Sequence, residues 1–190
     1  RDYGNEKPDI FWIRKNGLFG YITTEGKILS EPKWEDASEY HNGYAYVSDS
    51  EGIFYLLNSH GTILWSTEWI ICSIDEGYIL AKKPGAGYGF LDFNGNVVIS
   101  PIYQYSDGFQ NGLAVVMKNG KWGAIDFEGN IVVPICFDYI STFENGIALV
   151  ELDDQYGYVT EQGQIISGIA PEIISNFADR AYLDEEIDEK

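Results

Sequence analysis

Runs in which apolar residues alternate with polar ones recur along the whole chain, separated by turns rich in glycine and asparagine. In residues 113–126, the run LAVVMK leads to Asn119-Gly120, after which KWGAID returns. A period of two is typical of a β-strand, and an Asn-Gly pair between two such runs predicts a two-residue hairpin. No segment keeps the 3.6-residue apolar period of a helix over three turns. The pattern therefore predicts an all-β protein.

This pattern repeats with a period of 34 or 35 residues, and glycines mark the period most clearly. One glycine column follows the returning strand of each unit and consists of Gly26, Gly61, Gly95, Gly129 and Gly163. A second precedes the first strand of the next unit and consists of Gly43, Gly77, Gly112 and Gly146. A third lies within the returning strand and consists of Gly20, Gly89, Gly123 and Gly157, with Tyr55 at this place in the second unit. Self-similarity at a fixed period indicates a tandem-repeat architecture.

Each unit is predicted to be a three-stranded antiparallel meander. The five units span residues 10–43, 44–77, 78–112, 113–146 and 147–184, and the stretch 177–185 matches the start of one final strand. Residues 10–184 are expected to form one domain, between an N-terminal segment, 1–9, and an acidic tail, 185–190. An open, twisted stack is favoured over a closed propeller-like ring, because a propeller blade typically has four strands and about 40–45 residues.

Two side-chain columns on the returning strand predict that both of its faces are partly covered. The first consists of large rings: Phe19, Phe54, Tyr88, Trp122 and Tyr156. The second lies three residues on, on the opposite face, and consists of Ile22, Leu57, Leu91, Ile125 and Val159. A further column is expected to pack beneath the bend of each unit: Tyr40, Phe109, Phe143 and Phe177, with Ile74 in place of a ring. We interpret these rings as core residues, and the strand glycines as points where another backbone approaches closely.

Two stretches define a motif that goes beyond this periodicity. They are KWGAIDFEGNIVVP, followed by NGIALV, and GYGFLDFNGNVVISPIY, followed by GFQNGLAVV. They resemble the WG repeat of bacterial proteins, in which Trp-Gly, a strand, a glycine, an apolar strand ending in proline, an aromatic residue and Gly-Leu-Ala-x-Val follow one another. The resemblance covers about residues 10–184, but the second unit, IFYLLNSHGTILWSTEW, lacks both Trp-Gly and proline. It implies a β-repeat fold and carries no shared catalytic residue.

The net charge of −18, from 30 acidic and 12 basic residues, restricts the classes of partner. A strongly acidic protein opposes binding to nucleic acid and anionic lipid and favours a basic protein, since complementary charge speeds encounter. No apolar run reaches the roughly 18 residues that span a bilayer, so no membrane insertion is expected. Because the chain begins at Arg1, the compartment stays open between the bacterial cytoplasm and export after signal removal.

The polar side chains do not form a pattern that predicts catalysis. His41 and His60 lie beside turn glycines without a partner at metal-ligand spacing, so we expect no metal and no cofactor. One equivalent position in each unit, directly before a turn, holds a side chain that can hydrogen-bond the backbone of the turn, which indicates a shared role in closing it. The residues are Thr23, Asn58, Asp92, Asp126 and Thr160. Cys72 and Cys136 occupy different places in the repeat, so a disulfide is not expected and two buried thiols are. The chain is predicted not to be an enzyme.

Positions at which one unit has a different kind of residue from the other units are candidates for partner binding, because the positions that all units share maintain the fold. Trp34, Trp65 and Trp69 concentrate indole rings on the first two units, and Glu68 stands where other units have an aromatic residue. Tryptophan is enriched at binding hot spots, although the second unit could also simply repack with larger residues. We therefore expect a non-catalytic protein–protein interaction module, for example an immunity or inhibitor protein that neutralises a basic partner. The alternative is a carbohydrate-binding module that uses exposed Trp and Tyr rings.

Overall fold

The computed structural model describes residues 9–169, whose regular structure consists of β-strands arranged in five antiparallel sheets. The first sheet contains β1 (Ile10–Lys15), β2 (Leu18–Thr23) and β3 (Ile28–Trp34). The second contains β4 (Asp36–Ala37), β5 (Tyr44–Ser48), β6 (Phe54–Asn58) and β7 (Ile63–Thr67). The third contains β8 (Ile70–Asp75), β9 (Tyr78–Lys82), β10 (Tyr88–Leu91) and β11 (Val97–Tyr103). The fourth contains β12 (Tyr105–Gln110), β13 (Leu113–Lys118), β14 (Lys121–Ile125) and β15 (Ile131–Phe137). The fifth contains β16 (Tyr139–Ile140), β17 (Ile147–Leu152), β18 (Gln155–Thr160) and β19 (Ile165–Ser167).

The sheets are simple meanders in chain order, but four of them have four strands where three were predicted. The additional strand comes from the polar bend, which the sequence pattern left outside the sheet. In the fourth sheet Tyr105 pairs with Met117 and Ser106 with Val116, so β12 forms an edge beside β13. Each of these sheets therefore begins one strand before the boundary drawn from the glycine columns. The final strand predicted at 177–185, Phe177 and the acidic tail lie outside the described residues.

The predicted hairpins are confirmed by the backbone at the Asn-Gly pairs. Asn119 and Gly120 have φ angles of 50° and 73° between β13 and β14, which is the signature of a type I′ turn. Asn16 and Gly17 repeat this geometry between β1 and β2, at 52° and 87°. Both central residues of this turn need positive φ, and the turn's twist matches that of the flanking strands. The sequence pair therefore fixes the register of the hairpin.

The glycines within the returning strands lie where the next strand crosses closely, as predicted. A Cβ atom at Gly20 would overlap the carbonyl oxygen of Ser30, and one at Gly123 would lie 2.6 Å from that of Val133. The pairing shifts here, since Trp122 faces Phe137 but Ala124 faces Val133. The two extra residues of β15 thus bulge against the glycine.

The core lies between consecutive sheets, in four clusters that join the five sheets face to face. Between the third and fourth sheets, for example, Phe90 and Ile99 pack with Val116 and Ile125. Within residues 9–169 no cluster joins the first sheet to the fifth, and no sheet is closed on itself. The predicted all-β tandem repeat in an open stack is confirmed.

The two side-chain columns of the returning strand pack on different neighbours. The aliphatic column packs on the preceding sheet, and Leu57, Ile125 and Val159 are fully buried there. The aromatic column packs at the rim of the core shared with the following sheet, so Trp122 is only half-buried. Tyr156 is 58% exposed, because no sheet follows the fifth within the described residues. The prediction that this whole aromatic column is core was wrong.

Within the described residues, the ring column predicted to pack beneath the bend of each unit is packed against the core. Phe109 and Ile74 are buried, and Tyr40 and Phe143 pack partly buried against the adjoining clusters. Phe109 lies 4.5 Å from Phe90 between ring centroids, so the bend closes one end of the core. The bend is thus anchored by the same core that holds the strands.

Candidate functional site

Trp34, the first candidate for partner binding, is a core residue. Only 5% of it is exposed, and its indole Nε1 donates a hydrogen bond to Ser30 Oγ at 3.0 Å. Its ring centroid lies 5.1 Å from that of Tyr55 in the second sheet. Trp34 therefore joins the first two sheets and presents almost no surface to a partner.

Trp65 is half-buried and joins the second sheet to the third. Its Nε1 donates a hydrogen bond of 2.8 Å to the carbonyl oxygen of Phe93. A Cβ atom at Gly95 would lie 3.2 Å from the indole ring, so the turn after β10 rests on Trp65. The fourth sheet makes the equivalent contact on the third through Gly129 and Ile99. These contacts favour the interpretation that the second unit repacks with a larger residue.

Glu68 and Trp69 lie in the connection between β7 and β8, where Glu68 is exposed and Trp69 is half-buried. The Trp69 ring packs against the core between the second and third sheets, and Lys83 Nζ lies 5.7 Å from its centroid. Trp34 belongs to the core one junction earlier. The structure therefore does not bring the four candidates together into one surface.

A different surface, at the junction of the first and second sheets, combines acidic and aromatic side chains. Residues 31–39, which run from the end of β3 through β4 and are here named the acidic connection, expose Glu31, Glu35, Asp36 and Glu39 beside a single lysine, Lys33. A cleft of about 640 Å³ begins at Glu39 and is lined by the exposed side chains of Phe11 and Trp12. We name this the acidic cleft.

Phe11 and Trp12 were not among the residues predicted to bind a partner. They occupy places in β1 where β13 has Ala114 and Val115, both buried. The signal that could have found them is Phe11 in the first unit, at the place where the other units have Ala45, Ile79, Ala114 and Ala148.

The turn role predicted for the aspartates is confirmed. Asp92 Oδ1 accepts hydrogen bonds from the backbone N–H groups of Asn94 and Asn96, at 2.9 and 2.8 Å. The side-chain amide of Asn96, followed by these N–H groups, holds the pKa of the Asp92 carboxyl below its usual value. Asn58 Oδ1 makes the same pair of bonds in the second unit. These side chains close turns.

The remaining candidate chemical groups are dispersed. His41 and His60 are exposed in separate turns, and residues 9–169 contain no group of three or more His, Cys, Asp and Glu side chains that could hold a metal ion. Both thiols are free, and burial raises their pKa values, to about 11 for Cys136. Cys136 is buried as predicted, whereas Cys72 is only half-buried. The part of the chain that the structure describes has no helix able to cross a bilayer.

A family model described as "WG containing repeat" matches residues 19–49, 88–122 and 122–156, more than half of the chain. The chain belongs to the WG-containing repeat family. The matches leave out residues 50–87, which include most of the second unit of this WG-repeat protein, the one whose returning strand has Tyr55 in place of glycine. Comparison with curated proteins gave no match.

Solved structures with a similar fold have low sequence identity to the WG-repeat chain. A eukaryotic initiation factor is 13% identical with a TM-score of 0.55, and the match covers 86% of this chain and 52% of that one. The computationally designed Ika8 protein is 12% identical with a TM-score of 0.52, covering 85% and 58%. The WD40 β-propeller domain of Doa1 is 11% identical with a TM-score of 0.40, covering 85% and 64%. The chain thus spans less than two thirds of each structure, and these similarities concern the fold alone.

Proposed function

We propose that this WG-repeat chain is a non-catalytic protein–protein interaction module whose acidic surface binds a basic macromolecular partner. A small immunity or inhibitor protein that shields a cationic effector is a concrete form of this function. The acidic connection and the acidic cleft form the binding surface. Nucleic acid is not a partner, since its phosphates are repelled by the same charge.

The observation that carries this proposal is the placement of the carboxylates. The carboxylates in the described residues 9–169 lie at the surface except that of Asp107, where burial raises the pKa to about 6, and the net charge of the chain is −18. Charges that stay at the surface keep a long-range field, which raises the encounter rate with an oppositely charged protein. In the acidic connection Glu35, Asp36 and Glu39 lie within five residues, so the field is concentrated there. The exposed rings of Phe11 and Trp12 supply the apolar area that a stable contact needs after encounter.

Affinity capture at two salt concentrations tests this proposal. Proteins retained at about 50 mM salt should be basic and should be released at about 500 mM, because the Debye length falls to a few Å as salt rises. The association rate of a captured protein should then fall at least about tenfold for the double variant Glu35→Lys and Glu39→Lys. The matched control is Glu25→Lys with Glu144→Lys, which changes the net charge equally at exposed sites outside the acidic connection. Equal rates for both double variants would move the interface away from the acidic cleft.

A carbohydrate-binding module is the second candidate, and the exposed rings of Trp12, Tyr105 and Tyr139 favour it. Ring stacking on a sugar depends on contact area, so such binding should survive about 500 mM salt. Binding to a panel of neutral oligosaccharides should then be lost in Trp12→Ala, which leaves the carboxylates unchanged. Loss in Trp65→Ala or Trp69→Ala alone would place the sugar at the second unit instead.

A further inference from the structure

The outer edge strands of three sheets carry a feature that disrupts strand pairing. Each of these edge strands shifts its register twice against the returning strand of its sheet, and a proline lies at the second shift. The prolines are Pro32 in β3, Pro101 in β11 and Pro134 in β15. Proline offers no N–H to an added strand, and a bulge twists the edge away from one. These three edges are therefore protected against the addition of another strand.

β7 is the corresponding edge of the second sheet and lacks the proline and the second register shift; its one shift falls between Leu56 and Leu57 of β6 and leaves Leu64 as the extra residue. Its sequence, Ile63–Thr67, contains no proline, and Phe54, Tyr55 and Leu56 of β6 face Thr67, Ser66 and Trp65 in unbroken register. Tyr55 stands where the other returning strands have glycine, and it fits because no bulge approaches it. The departure of the second unit from the repeat thus has a structural consequence: Trp65, Ser66 and Thr67 of β7 form a regularly paired edge where β3, β11 and β15 have a proline bulge.

This edge is open within the described residues. β7 is the last strand of its sheet, and in residues 9–169 no backbone hydrogen bond joins its residues to a strand other than β6. The first two residues of β7, Ile63 and Leu64, are 44% and 43% exposed. An edge strand presents a row of unpaired N–H and C=O groups, so β7 offers both a hydrogen-bonding template and apolar contact area.

We propose that β7 is a docking edge at which an extended segment of a basic partner adds as a further strand of the second sheet. This inference rests on the proposed function and specifies how the partner is held after encounter. The charge decides the occupant: two copies of a chain with a net charge of −18 repel each other, whereas a segment with Lys or Arg is attracted. Exposed Glu68 directly beyond β7 is positioned to meet such a charge, while apolar residues of the segment cover Leu64.

The probe is a synthetic peptide of about ten residues in which lysine and valine alternate, a length that covers the edge of an ordinary strand. Two isomers carry N-methyl groups either on every lysine or on every valine. In an extended strand the N–H groups of alternate residues point to opposite sides, so only one set bonds to β7. One isomer should bind at least about tenfold more weakly than the parent, and the other should bind like the parent. Amide hydrogen exchange should slow at residues 63–67 and stay unchanged in β11.

Variants of the full chain complete the test. Leu64→Glu removes apolar contact area at β7 but adds a negative charge, so strand addition predicts binding about tenfold weaker while charge capture alone predicts equal or tighter binding. Val98→Glu is the matched control, since Val98 in β11 is 41% exposed and follows the same turn. The control should bind the peptide at least as well as the wild type.

The results separate this inference from the proposed function. Salt-sensitive binding of both methylated isomers, with no protection at residues 63–67, would overturn strand addition and leave acidic capture standing. Absence of binding by any cationic peptide or protein would overturn both. A concentration-dependent dimer whose amides are protected at 63–67 would also overturn the proposal, because the occupant would then be a second copy.

Discussion

A Cβ atom at Gly89 of β10 would lie 2.9 Å from the backbone nitrogen of Pro101 of β11, so these two residues fit together as one packing unit. The bulge that contains the proline occupies the space that a side chain would take. In the second sheet, where both residues are replaced, the strands pair without this bulge. The glycine of the repeat is therefore required by a neighbouring strand and not by its own backbone angles, since its φ is not positive.

Substitutions at two kinds of glycine should give opposite preferences between Ala and Asn. At Gly89 we expect Ala to destabilise by about 1–3 kcal/mol and Asn to destabilise more, because any Cβ overlaps β11 and a larger side chain overlaps it further. At Gly120, with φ at 73° and no atom within 4 Å of an added Cβ, Asn should be tolerated better than Ala. Urea unfolding of the four variants measures the order. The same order at both sites would contradict the close-approach model.

Buried and exposed rings of the returning strand should differ strongly in their contribution to stability. Phe90 is 1% exposed within the core of the third and fourth sheets, so Phe90→Ala should destabilise by about 3–5 kcal/mol. Tyr156→Ala, at an exposed ring, should change the free energy of unfolding by less than about 1 kcal/mol. Thermal and urea denaturation give both values. A large loss at Tyr156 would mean that the fifth sheet is covered.

The indole of Trp65 is predicted to stabilise a sheet junction. Trp65→Phe keeps a ring against Gly95 but leaves the carbonyl oxygen of Phe93 without its donor, which should cost about 1–2 kcal/mol. Trp69→Phe is the control, because it also replaces a half-buried indole by phenyl, at a ring that packs on the same core. Urea unfolding compares them, and equal losses would remove the hydrogen bond as the cause.

Stability should fall in alkaline solution because buried tyrosines resist ionisation. Tyr40 Oη donates to the carbonyl oxygen of Asn58 at 2.8 Å, and burial raises its pKa to about 12. Burial, followed by the field of Tyr40, also raises the pKa of Tyr21. Tyrosine in the unfolded chain ionises near pH 10, so the stabilisation is complete below about pH 10 and is lost as the pH rises towards 12.

Melting temperatures between about pH 8 and 12 should show this loss, and the absorbance of tyrosinate should show ionisation accompanying unfolding. Tyr40→Phe removes one titrating group, so it should lower the stability at neutral pH and flatten the alkaline decline. An unchanged slope in this variant would assign the alkaline loss to other residues.

Local chemistry was enough to predict much of the fold. Alternation with a period of two, Asn-Gly pairs and the glycine columns predicted the strands, hairpins and repeat, because these depend on φ preferences and on side-chain direction within a few residues. The turn role of Asp92 followed in the same way, since its partners are two and four residues away. The family resemblance rested on these same local motifs.

Contacts between sheets decided what remained. β4 and β16 contain only two residues each, and they are strands only because β5 and β17 lie beside them. Alternation shows that the aromatic and aliphatic columns face opposite sides of the returning strand. It does not show that the aromatic column lies at the edge of the core shared with the next sheet, so the burial of Trp122 and Tyr156 was overestimated. Trp34 was taken for a surface candidate and is enclosed by Tyr55 of the next sheet, whereas Trp12 was overlooked and is exposed. A sequence fixes which side of a strand a residue occupies, but burial depends on the distant segment that packs against that side.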